Sequence, residues 1–247
     1  MSGFNIKKVL IYSPCWPIAN ALERMSLNDS INADLLCVVR ELESVFNEIL
    51  SFLPGLLIMD ISLRDNCGLI NSIRLQLPEL PIIIVGYRYL FSDRVVAEYY
   101  GGILLKEYDA LLAGYPVYKI QHHLTEVCFS GNYNGRGSCK LSNNPTTLIQ
   151  ELEGQLRKRL FDLTRSPRLC EVSMDWLIKG RSSVQMYKGL ISNQKLIYHY
   201  RSKTMRYLKI RHYSRDFIRC LTVRIGTLDY FQKGGGIQNL SSSSSNK

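Results

Sequence analysis

The chain has 247 residues, 46% hydrophobic and 21% charged, a length and composition that can bury two cores and that exclude a wholly disordered polymer. Its apolar runs, such as Leu56–Met59 and Leu80–Val85, are strand-length and exclude a membrane-spanning helix. The net charge of +10 is uneven: residues 1–147 carry 12 Lys+Arg and 14 Asp+Glu, whereas residues 148–247 carry 19 and 7, a net of +12. A strongly basic half is the footprint of a module that meets a polyanion, nucleic acid ahead of an anionic membrane surface.

In chain order, Lys8–Tyr12, Leu56–Asp60 and Pro81–Val85 read as continuous apolar strands, the pattern of a parallel sheet covered on both faces. Ala33–Val38 and Ile103–Leu105 are weaker strands. The amphipathic stretches Ile18–Met25, Leu42–Leu50, Leu69–Leu77, Asp93–Tyr100 and Val117–Phe129 predict five helices. The expected fold is a doubly wound, five-stranded parallel α/β sheet with its site beyond the strand carboxyl ends. Asp60 ends the third strand and Lys106 the fifth, so both are expected at that rim. Met1–Lys8 has no apolar stretch behind its lysines, so a cytoplasmic, nucleoid-associated protein without a signal peptide is expected. Seven scattered cysteines with no C-x-x-C pair read as reduced thiols, with neither disulfides nor metal expected.

Gly131–Thr147, in which 12 of 17 residues are Gly, Asn, Ser, Thr or Pro, reads as a linker. It separates a first domain, residues 1–130, from a second, residues 148–225, and a low-complexity tail follows over 226–247. The second domain reads as all-α, with four helices. Leu148–Leu160 is the first. Pro167–Lys179 is the second, its apolar side drawn from Leu169, Val172, Met174, Trp176 and Leu177, with Gly180 as its cap. Ser182 opens a short helix to Gly189, and Asn193 caps a longer basic helix, Gln194–Leu208. A short helix, a turn and a longer basic helix form the pattern of a DNA-binding helix-turn-helix. In the last helix Ile197, Tyr200, Thr204 and Leu208 make an inward stripe, with Lys195, His199, Ser202 and Arg206 opposite and Tyr198, Arg201 and Lys203 at the edges.

The segment Pro54–Gly86 resembles the third strand, third helix and fourth strand of a two-component receiver domain, and Gly101–Lys106 resembles its fifth strand. The resemblance covers about Lys7–Phe129 and puts Asp60 at the phosphoacceptor position and Lys106 at the lysine position. It also shows departures. Ser13 and Pro14 stand where receivers carry the acidic pair that binds Mg²⁺, Gly86 replaces the phosphoryl-sensing Ser/Thr, and Ile103 replaces the aromatic switch. A hard divalent ion wants several oxygen ligands. The expectation is therefore a degenerate phosphoacceptor site, Asp60 with Lys106, without metal or other cofactor.

Leu163–Leu221 resembles a LuxR/FixJ-type helix-turn-helix. Gly180, Ser182, Leu190 and Leu208 match in register, and Gln185, Met186, Asn193 and Ile197 are conservative changes. By that resemblance Tyr198, His199 and Ser202 read base edges, and Lys195, Arg201, Lys203 and Arg206 hold phosphates. Tyr and His offer no bidentate fork to guanine, so specificity is expected to be modest or to lean on DNA shape.

Together these resemblances imply an atypical, RcsB-related regulator of transcription that binds double-stranded DNA as a homodimer or as a heterodimer with another LuxR-type regulator. Its receiver-like domain would serve dimerisation or partner binding, independently of phosphorylation. The alternative is a regulator that acts mainly by pairing with or sequestering another transcription factor. An enzyme is not expected, because neither Cys15 nor the His122–His123 pair has a base–orienter constellation around it.

Overall fold

The computed structural model describes residues 8–28, 33–113, 141–179 and 194–226. Its first half is a five-stranded, wholly parallel sheet in the order β2-β1-β3-β4-β5. The strands are β1 (Val9–Tyr12), β2 (Leu36–Val39), β3 (Leu56–Met59), β4 (Ile82–Gly86) and β5 (Ile103–Glu107). Between and after them run α1 (Trp16–Asn28), α2 (Leu42–Phe52), α3 (Cys67–Gln76), α4 (Phe91–Tyr100) and α5 (Tyr108–Ala113). Register is set by apolar residues that leave neither face polar: Val9 lies between Leu36 and Leu56, and Ile58 pairs with Ile83.

Alternation along each strand divides the core in two. Val9, Ile11, Leu56, Ile58, Ile83 and Val85 point to the side covered by α1 and α5, where they meet Leu22, Met25 and Leu111. Leu10, Tyr12, Leu57, Met59, Ile82 and Ile84 point to the side of α2, α3 and α4. This second core does not stop at the sheet. It continues into Leu148, Leu152, Leu156 and Leu160 of the helix Pro145–Thr164 (α6) and into Phe217, Cys220 and Leu221 of the helix Tyr213–Leu221 (α9).

The second half is all-α among the described residues. Asn144 caps α6, its side chain accepting from the amides of Thr146 and Thr147, and Pro145 opens the first turn. Ser166 caps α7 (Pro167–Glu171), which continues into a widened, π-helical turn over Val172–Leu177. The helix Gln194–Tyr207 (α8) packs on that turn, where Val172 and Ile197 share a small core.

Several elements differ from the sequence reading. Ala33–Leu35 is a 3₁₀ turn, because the ladder to β1 begins only at Leu36. α6 begins at Pro145 rather than Leu148, since Asn144 supplies its cap. α5 follows β5 directly and α9 is the last helix of the described residues; neither is among the expected elements. The expected helices Val117–Phe129 and Ser182–Gly189, with Gly180, Leu190 and Asn193, lie outside the described residues.

Candidate nucleic-acid interface and the rim of the sheet

Asp60 stands at the carboxyl edge of the sheet, directly after β3, and its amide extends the ladder by donating to the Tyr12 carbonyl (2.9 Å). Its carboxylate is closed off by hydroxyls. Ser13 Oγ donates to Oδ2 at 2.7 Å, and Tyr108 OH donates to Oδ1 at 2.5 Å. Ser13 is fully buried and is itself fixed by the Cys15 amide at 3.1 Å. The Tyr87 ring meets Tyr108 edge-on at 4.8 Å. Tyr89 directs its hydroxyl at the carbonyls of Ile84 and Lys106 (2.7 and 2.8 Å). Its hydroxyl oxygen lies 3.6 Å from where a Cβ on Gly86 would stand. Burial pushes both phenols up, for Tyr108 together with its bond to Asp60, so both remain protonated donors at neutral pH.

These residues do not fit a Mg²⁺ ion. Asp60 is a single carboxylate with both oxygens engaged, and Pro14 has no side-chain oxygen to offer. Among the described residues no group of three or more His, Cys, Asp or Glu could hold a metal. The structure brings Lys106 to the same rim, where it pairs with Val85 across β4 and β5. Tyr108, which the sequence reading missed, provides a short contact to Asp60.

α8 separates its faces as its spacing predicts. Ile197 and Thr204 are buried and Tyr200 and Leu208 half-buried, whereas Lys195, Tyr198, His199, Ser202 and Arg206 are exposed. Arg201 and Lys203 lie half-buried at the edges. The buried side is fixed by one polar pair, Ser173 Oγ and Thr204 Oγ1 at 2.7 Å, and Thr204 also donates back to the Tyr200 carbonyl at 2.9 Å. Arg201 stacks on two rings, 4.0 Å from the centroid of Tyr213 and 5.2 Å from that of Tyr198. It thereby ties α8 to α9.

α9 is anchored on α4. Asp216, buried at its first turn, accepts from Arg88 at 2.7 Å and Arg215 at 3.0 Å. Burial works against its charge, but those two partners outweigh it and hold the carboxyl below the usual range. Ser92 Oγ donates to the Arg219 carbonyl at 2.7 Å. After α9 the chain runs extended along the first half. There the amides of Cys67 and Gly68 donate to the carbonyls of Arg224 and Ile225 (3.1 and 2.8 Å), which satisfies the start of α3. α6 reaches α4 through Tyr99 OH, which donates to Glu151 at 2.7 Å, and through an Arg159–Glu98 ion pair.

No protein-family model matches the chain, and no curated protein matches it in sequence. Solved structures do. Two RcsB dimers bound to two parallel DNAs match at 17% identity and TM-score 0.51, over 88% of this chain and 98% of that one. A complex of the two-component response regulator RcsB with DNA matches at 16% identity and TM-score 0.49, over 88% and 100%. Full-length FixJ from B. japonicum matches at 18% identity and TM-score 0.34, over 87% and 95%. The likeness to the RcsB dimers is one of fold: a receiver-like parallel sheet followed by a helical region, the architecture that the sequence resemblances imply.

Proposed function

We propose that this chain is a non-enzymatic, DNA-binding regulator of transcription that contacts duplex DNA through the outer face of α8 and works without phosphorylation of Asp60. The division of α8 into a buried stripe and an exposed face bearing Lys195, His199, Ser202 and Arg206, within a half-chain of net +12, carries the reading. In this proposal Tyr198, His199 and Ser202 read bases, and Lys195, Arg201, Lys203 and Arg206 hold phosphates. Residues 1–130 are a receiver-like domain for dimerisation or partner binding, a linker runs from 131 to the start of α6 at Pro145, the DNA-binding domain extends from there to 225 and 226–247 are a tail. The RcsB structure similar in fold contains dimers on DNA, which supports a dimeric state here and a location with the nucleoid.

The test is a titration of the full-length chain against genomic duplexes at several salt concentrations. Affinity should fall with a log–log slope of roughly −0.9 per neutralised phosphate, and Arg206→Ala should flatten it by about one. Salt-insensitive binding, or none with any fragment, overturns the reading. The stacking of Arg201 between Tyr198 and Tyr213 favours a second reading. In it the chain pairs with another LuxR-type regulator that reads the DNA, and duplex binding then appears only when that partner is added.

A further inference from the structure

The junction of the two halves holds an open, polar cavity of about 520 Å³, lined by Arg64, Asp65, Arg219, Arg224, Ile225 and Gly226. Three of its four charged side chains are cationic. Arg64 Nη2 contacts Asp65 at 2.6 Å, whereas Arg219 and Arg224 stand 4.0 and 3.9 Å from the same carboxylate, beyond hydrogen-bond length. One carboxylate thus faces three guanidinium groups, which leaves two positive charges. Arg64 has its side chain only 3% exposed, and its Nε is buried without a hydrogen-bond partner.

The backbone around these groups is fixed. The Arg224 amide donates to the Arg64 carbonyl at 2.6 Å, and Arg64 Nη1 donates to the Arg219 carbonyl at 3.1 Å. Gly226 adopts φ +84°, and a Cβ there would stand 3.0 Å from the Asp65 carbonyl. The arginines are therefore gathered by main-chain contacts together with the Arg64–Asp65 pair, so an anion would find them already assembled.

We infer that this cavity binds a small phosphate compound carrying two or more negative charges, held by Arg219 and Arg224 with Arg64 at the base. Guanidinium forks match phosphate oxygens in geometry, and a dianion offsets the charge that Asp65 leaves over. Among the described residues the lining is guanidinium, carboxylate and backbone with Ile225 and no ring, which suits the phosphate as the group recognised. A free compound fits better than a DNA backbone, because the buried Arg64 is out of reach of a duplex. Arg64 belongs to the first half and Arg219 and Arg224 to the second, so the bound anion joins the two. The inference does not depend on DNA binding by α8.

The experiment titrates the full-length chain with inorganic pyrophosphate at constant ionic strength by calorimetry, with a parallel thermal melt. The expected result is saturable binding at one site per chain and a higher melting temperature. Affinity should drop about tenfold or more in Arg224→Gln, whose side chain is 72% exposed, and in Arg219→Gln. It should be unchanged in Arg211→Gln, which is exposed and outside the cavity. Circular dichroism checks that each variant keeps its fold, and Arg224→Gln, the more exposed position, serves if Arg219→Gln does not. Absence of saturable binding overturns the inference. So does parent-like affinity in both cavity variants, equal loss in Arg211→Gln, or a defect in duplex binding alone. Duplex affinity measured alongside reports separately on α8.

Discussion

The guanidinium of Arg64 caps the end of a helix 155 residues further along the chain, donating from Nη1 to the Arg219 carbonyl at 3.1 Å. The same nitrogen lies 3.3 Å from Thr222 Oγ1, and Ser92 reaches the same Arg219 carbonyl from α4. The last carbonyls of a helix have no partner within it, and α9 obtains its partners from the first half of the chain. A cation at that end also complements the helix dipole.

Arg64→Met should therefore loosen α9 as well as destabilise the protein. Losing the buried Arg64 bonds to the Arg219 carbonyl and Thr222 costs about 1–3 kcal/mol, to be read as a lower urea midpoint. Cys220, buried against this junction and with its thiol pushed up by burial, should then alkylate faster. In the parent chain the exposed Cys15 should react well before Cys67, Cys170 or Cys220. Burial pushes the Cys67 thiol up to about 12, which removes its reactive thiolate at neutral pH. Peptide mapping after timed alkylation checks both.

Acid should weaken the same junction. Despite its burial, Asp216 is held below the usual carboxylate range by Arg215 and Arg88, so its folded value lies under an unfolded one of about 3.9. The stability this contributes is present above the unfolded value and is lost as pH falls through the folded one. Asp93 has the opposite sign. Burial raises it against the amide bonds from Arg64 and Leu90, so its contribution is present in acid and lost as pH rises through the folded value. Melting temperature between about pH 5 and pH 3 should fall less in Asp216→Asn than in the parent.

Thr204→Val keeps the shape of the side chain but removes the partner of Ser173 Oγ, 2.7 Å away in a fully buried place. An unsatisfied buried hydroxyl costs about 1–3 kcal/mol. Ser173→Ala combined with Thr204→Val should recover part of that loss, because neither orphan then remains. A denaturation cycle over the four proteins measures the coupling.

The closure of Asp60 by Ser13 and Tyr108 predicts no phosphate adduct by mass after incubation with Mg²⁺ and acetyl phosphate. Phosphoryl transfer needs a cation to neutralise developing charge, and the rim supplies neither its ligands nor a free carboxylate oxygen. Tyr108→Phe frees one oxygen and should still give no adduct. Asp60→Ala should leave reporter output unchanged while lowering stability, since it strands the two hydroxyls.

The sheet was legible because its strands are apolar on both faces, a pattern that needs no knowledge of what lies beside them. The stripe of α8 was legible for a similar reason, since Ile197 and Thr204 repeat at helical spacing. Tyr108 was not, because a residue just past a strand gives no local sign that it will fold back on a carboxylate 48 residues earlier. α9 was missed although Phe217, Cys220 and Leu221 recur at spacings of three and one, because three apolar residues in so short a stretch are a weak periodic signal. Arg64 carries no mark of burial in the sequence. Its environment is made by residues that follow it at great distance, and local composition reports only that it is charged.

The shared core also bears on how the chain comes off the ribosome. Strands β1–β5 are complete by Glu107, yet the α3–α4 side of that layer is finished only when Leu148–Leu160 and Phe217–Leu221 arrive. Throughout the intervening synthesis the nascent first half carries an uncovered apolar surface, the condition under which chains aggregate or recruit chaperones. The long sequence separation of these contacts also slows the closing step. A release or truncation before Phe217 would leave that surface permanently open, so premature termination should yield insoluble product even though every strand of the sheet has been made.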